Sequence, residues 1–188
     1  MEFEVEIIKF LQAGRNGFLY VFFQVITYLG SVYMAALVFL LLLIFRRKYC
    51  LWFAGAFAAS YGVAFLLKHL IKRVRPFIAN GAITCIGELE NGYSFPSGHS
   101  VVITCIAIFI GFLLFKYYKK AWQKALVVIF SSLITLVVVL SRMYLGVHYL
   151  TDTLAGIGIA AIFTVATLVI WHFYKKKKET KNETENGD

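Results

Sequence analysis

Five apolar runs dominate this chain of 188 residues and restrict what it can fold into. A stretch of about 20 residues with few charges is long enough to cross a bilayer as a helix. The runs cover residues 18–45, 50–67, 101–115, 121–140 and 149–173, the third beginning a turn earlier than its valines. The first is long for one span and carries Gly30-Ser31, which fits a tilted helix or one that starts as a short interfacial segment. A soluble domain is about half apolar and about a quarter charged. Here 60% of residues are hydrophobic and 15% charged, with a mean hydropathy of +0.75. A core of this size has no room for that much apolar surface, and a bilayer does. The expected fold is all-α, a polytopic transmembrane helix bundle of about five spans, plus an N-terminal interfacial helix.

The N-terminus carries Glu2, Glu4 and Glu6 where a signal peptide has a positive segment. Phe3, Ile7, Phe10 and Leu11 make one face of a short helix lying on the membrane, unless this end frays. Residues 1–174 read as a single catalytic domain. Residues 175–188, four lysines followed by Glu, Thr, Asn and Gly, read as a disordered, solvated cytoplasmic tail. Cys50, Cys85 and Cys105 show no metal or redox spacing.

The net charge of +9 invites a nucleic-acid partner, but its distribution argues for membrane orientation instead. Twelve of the nineteen basic residues sit in three clusters: 46–48, 116–124 and 175–181. Lys and Arg concentrate in cytoplasmic loops. Five spans with the N-terminus outside put all three clusters in the cytoplasm. The same topology puts residues 68–99 and 141–149 together on the extracytoplasmic face of the cell membrane.

Those two segments hold the remaining polar chemistry, and ionisable groups at membrane depth are functional suspects. Arg75 and Arg142 offer planar forks for phosphate oxygens, and Lys68 adds a point charge. Pro96-Ser97-Gly98-His99 opens the third span. Free N–H groups at a helix start bind anions, and Gly98 lets an oxygen approach the backbone. His148 and Asp152 are four residues apart, so on one helix face Asp152 can accept the Nδ1 proton and leave Nε2 as a nucleophile. His99 can protonate a leaving oxygen and later activate water. No metal or other cofactor is required. Asp152 is the only Asp before the last residue, and Glu88 and Glu90 read as loop residues. His69 and His172 read as structural interfacial residues.

Lys68-x6-Arg75-Pro76, Pro96-Ser97-Gly98-His99 and Ser141-Arg142-x5-His148-x3-Asp152 resemble the three-part signature of the type 2 phosphatidic acid phosphatase (PAP2) superfamily, in order and with its spacing. The resemblance implies metal-independent hydrolysis of lipid phosphates through a phosphohistidine. His148 matches the nucleophile, Asp152 its support and His99 the leaving-group residue. Lys68, Arg75, Ser97, Gly98 and Arg142 match phosphate-binding positions. Members act on phosphatidylglycerol phosphate, phosphatidate or undecaprenyl pyrophosphate. Many dedicated to the last carry Asp where this chain has Gly98, which favours the broader lipid phosphatases. The family core is often drawn with six spans against the five read here. A phosphotransferase using the same histidine is the alternative. A non-enzymatic lipid-phosphate binder needs the cations but not the His148–Asp152 pair. The implied partners are a lipid phosphate and the bilayer, with no nucleic acid.

Overall fold

A computed structural model describes residues 2–87 and 89–185. The described residues form eight α-helices: α1 (Glu2–Ala13), α2 (Gly17–Ile26), α3 (Val32–Phe45), α4 (Arg47–Ile71), α5 (Pro76–Ala79), α6 (Gly98–Tyr117), α7 (Ala121–Tyr144) and α8 (Leu150–Glu185). A 3-10 turn, Thr27–Gly30, joins α2 to α3. Four helical segments are long and apolar enough to cross a membrane, and the α2–α3 pair makes a fifth if it counts as one span. The pair is bent by 51° at Ser31. Ser31 takes an extended conformation and its hydroxyl caps α3 by accepting from the Met34 N–H at 3.3 Å. The Gly30-Ser31 step is thus a break rather than a tilt.

Helix α6 is the centre of the bundle, packed on α4, α7 and α8. It buries Val101, Val102, Cys105 and Phe109 against Phe53 and Ala56 of α4 and Ala160 of α8. Two glycines set close approaches around its start. A Cβ on Gly156 would lie 2.6 Å from the Ser97 carbonyl oxygen, so only glycine lets α8 press on the segment before α6. A Cβ on Gly30 would lie 2.8 Å from the His99 carbonyl oxygen. Both contacts pin the same turn.

Helix α1 turns Glu4, Ile8 and Gln12 inward, spaced by four, while Phe3 and Phe10 remain exposed. The stripe that packs on the protein is therefore not the aromatic one. The Gln12 amide donates to the Thr84 and Tyr144 carbonyls and accepts from the Thr84 N–H, tying α1 to the loop after α5 and to the end of α7.

One expectation changes at the C-terminus. Helix α8 continues through Glu185 instead of ending near residue 174 in an irregular tail. Lys and Glu are good helix formers, and Lys175 and Glu179 pair at 3.0 Å one turn apart. The tail residues through Asn182 are exposed, and 186–188 lie outside the described residues.

Candidate active site

The antiparallel helices bring the end of α4, the start of α6, the end of α7 and the start of α8 to one end of the bundle. Helix α4 stops at Lys72, which takes a left-handed conformation with φ 51°. The chain then runs extended through Arg75 to Pro76, the first residue of α5. Arg75 is buried here and acts as a hub. Its Nε donates to the Gly92 carbonyl at 3.1 Å, its Nη2 to Asn91 at 3.2 Å and its Nη1 to Val147 at 3.1 Å. The same Nη1 lies 3.5 Å from His148 Nε2.

His148 sits just before α8, and its Nδ1 is 3.6 Å from Asp152 Oδ2. That is ion-pair range, longer than a hydrogen bond. Ser94 occupies the space beside it. Its hydroxyl donates to Asp152 Oδ2 and lies 3.4 Å from His148 Nδ1. Asp152 also accepts from the Tyr149 N–H at 2.9 Å. Nothing in the sequence singles out Ser94, although it stands two residues before Pro96-Ser97-Gly98-His99. Burial, and the nearby Arg142 and Arg75, push the His148 imidazole down to about 4 against the opposing pull of Asp152. That depression favours the uncharged ring at neutral pH.

Glu90 is the main surprise. Its carboxylate bridges Arg142 Nη2 and Arg75 Nη1, the latter at 2.8 Å, with Oε2 4.0 Å from His148 Nε2. A residue read as part of a loose loop thus places two anionic oxygens between two arginines, facing the histidine. Burial pushes its carboxyl up, but Arg142, His148 and Arg75 outweigh that and hold it at about 2. Glu88 lies outside the described residues.

Arg142 is almost fully buried. Its Nη1 donates to the Thr27 hydroxyl at 2.6 Å. Its Nε has no hydrogen-bond partner among the described residues. A buried donor left open costs stability unless a ligand takes it. A cavity of about 300 Å³ opens here, lined by Thr27, Tyr61, Glu90, Gly98, His99 and Arg142. Gly98 and His99 are the first residues of α6, whose leading N–H groups have no acceptor within the helix. Ser97 faces elsewhere: its hydroxyl caps α6 through the Ser100 N–H at 3.4 Å, and its own N–H donates to the Asp152 carbonyl at 3.0 Å. Lys68 lies within electrostatic reach of Arg75 and Glu90, but its Nζ donates to the Tyr93 carbonyl at 2.8 Å. It therefore anchors the loop as well as adding charge. No three His, Cys, Asp or Glu side chains gather as metal ligands among the described residues.

The chain is similar to known proteins in both sequence and fold. The chain is 38% identical over 103 residues to phosphatidylglycerophosphatase B of Bacillus subtilis, a match covering 53% of this chain and 48% of that protein. It is 27% identical over 156 residues to an undecaprenyl-diphosphatase of Sulfolobus acidocaldarius, covering 82% and 71% respectively. The chain thus spans about half the length of curated relatives such as the Bacillus protein. The fold matches the crystal structure of a transmembrane PAP2 type phosphatidylglycerolphosphate phosphatase from Bacillus subtilis with a TM-score of 0.78. That match is at 26% identity over 91% of this chain and 85% of that one. The profile of the PAP2 superfamily matches residues 49–178, which take in Arg75, His99, Arg142, His148 and Asp152 together. With the fold, the profile and the three motifs in agreement, this chain belongs to the PAP2 superfamily.

Proposed function

We propose that this protein is a membrane lipid phosphatase that works through a phosphohistidine at the end of the bundle formed by α4, α6, α7 and α8. The observation that carries the reading is the Glu90 carboxylate, which marks an anion seat between Arg75 and Arg142 with an oxygen 4.0 Å from His148 Nε2. A phosphoryl group displacing Glu90 meets both guanidinium forks, the open Nε of Arg142 and the start of α6.

In the first step His148 Nε2 attacks phosphorus, the N–P bond forms and the P–O bond to the lipid breaks. His99 gives its proton to the departing oxygen. Ser94 and Asp152 hold the Nδ1 side of the ring, so the charge that develops on the imidazole is met by a carboxylate. In the second step His99 takes a proton from water, the water oxygen attacks phosphorus, and the N–P bond breaks to release inorganic phosphate. Both relatives named above act on phosphate attached to a lipid, and the apolar wall of the cavity, from Tyr28, Ile86 and Val102, suits a headgroup whose tail stays in the bilayer. The basic clusters at the opposite end of the bundle support a cytoplasmic placement for that end and an extracytoplasmic site.

The test is phosphate release by the purified protein from phosphatidylglycerol phosphate, phosphatidate and undecaprenyl pyrophosphate, with EDTA present. Wild type should turn over at least one. His148→Ala should lose at least about a thousandfold in turnover while remaining inserted and folded. Unimpaired turnover by that variant sinks the reading.

A further inference from the structure

Asp152 has two carboxylate oxygens that face different ways. Oδ2 meets Ser94, the Tyr149 N–H and His148. Oδ1 faces away from the reaction, toward Arg73 Nη1 at 2.6 Å. Arg73 is not one of the signature cations, and it does not reach the anion seat. Its guanidinium lies over the Tyr149 ring, 4.0 Å from the centroid, and Nη1 also donates to the Thr151 hydroxyl at 2.6 Å. Its Nη2 pairs with Glu4 Oε2 at 2.8 Å. The other oxygen of Glu4 accepts from the Thr151 N–H at 2.9 Å and from its hydroxyl at 2.7 Å.

Thr151 is the second residue of α8, so its N–H has no acceptor within the helix. Helix α1 thus supplies a capping carboxylate to a helix that begins almost 150 residues later. The same carboxylate holds the guanidinium that fixes the back of Asp152. Of the three glutamates on α1, Glu2 and Glu6 are exposed and Glu4 is buried. Burial favours a carboxylate only where charged and hydrogen-bonding partners compensate it. Here the partners are Arg73, which also holds Asp152, and Thr151, its neighbour in sequence.

We propose that Glu4 and Arg73 are positioning residues for catalysis, an outer brace from α1 that sets the direction of the Asp152 carboxylate behind His148. The inference rests on the proposed role of His148. Neither residue touches the phosphate, so loss of the brace should lower kcat and leave KM nearly unchanged. Glu4→Gln is the selective probe. It keeps an oxygen for Thr151 and turns an NH2 group toward Arg73, breaking one arm only.

The experiment measures kcat and KM of the full-length purified protein for the lipid phosphate that wild type turns over fastest. Glu4→Gln should lose about tenfold or more in kcat, as loss of an outer support typically does, with KM within about twofold. Glu6→Gln, on the exposed face, should match wild type. Arg73→Lys should show the same pattern, and the double variant should lose little more than either single one. Should Glu4→Gln fail to fold, Arg73→Lys carries the same test, because it leaves the Glu4 cap on Thr151 in place. Wild-type kcat in folded Glu4→Gln or in Arg73→Lys overturns the proposal, as does a loss confined to KM or fully additive losses. If His148→Ala retains turnover, the phosphatase reading fails. If His148→Ala is inactive and Glu4→Gln equals wild type, only the brace fails.

Discussion

At one end of the bundle Arg73, Arg75 and Arg142 are each held between two or more acceptors. At the other end Lys48, Lys116 and Lys124 lie over aromatic rings. The chemistry of the two cations explains the division. A guanidinium has a planar fork that fixes direction, whereas an ammonium is a mobile, strongly hydrated point charge. Lys116 sits 4.3 Å from the centre of the Trp171 ring and 5.3 Å from that of Phe112, a contact that suits a bilayer surface and needs no exact angle. Both ends are basic, but only the arginine end is built to hold an anion in one place.

Substitutions should separate the two ends sharply. Arg142→Ala removes a fork and the open Nε together. It should cost about a hundredfold or more in kcat/KM, measured by phosphate release. Ser94→Ala leaves the seat intact and removes the hydroxyl between His148 and Asp152. It should lower kcat by about 10–100-fold with little change in KM. Glu90→Gln acts in the opposite direction on binding. It removes the internal competitor for the two arginines, so KM or the inhibition constant of vanadate should fall severalfold. Thermal stability should fall too, because buried guanidinium groups lose their counter-charge.

The pH profile sharpens the same contrast. An imidazole held at about 4 stays neutral and nucleophilic well below the ordinary histidine range. The acid limb of kcat/KM assigned to His148 should therefore lie near pH 4 rather than pH 6.5. Glu90 opposes this depression, so Glu90→Gln should move the limb lower still. The smallest effect belongs to the far end. Lys116→Ala should change turnover by less than about twofold and stability by about 0.5–1 kcal/mol, read from a melting curve in detergent.

The helices were legible because a bilayer demands long apolar runs, and 50–67, 121–140 and 149–173 stand out as such. The Gly30-Ser31 step was visible as an irregularity, but the 51° bend was not, since it depends on Gly30 seating against His99. Within the site, Arg75, Gly98, His99, Arg142, His148 and Asp152 announced themselves by fixed spacing. Ser94, Glu90, Arg73 and Glu4 did not. Ser94 is an ordinary loop serine until α8 folds against it. Arg73 is hidden among Lys72 and Arg75, and nothing local distinguishes a guanidinium that braces from one that binds. Glu4 and Glu90 act across long gaps in sequence, where pattern carries no signal.

The unbroken length of α8 has a consequence for supply. From Asp152 to Lys175 the helix rises by about 35 Å at 1.5 Å per residue, slightly more than the hydrocarbon thickness of a bilayer. An unbroken helix of that length keeps Asp152 and Lys175 near opposite boundaries of the bilayer. On the proposed function, the site would therefore meet lipid from one leaflet only. A phosphorylated lipid made in the other leaflet would then have to cross the bilayer before reaching His148.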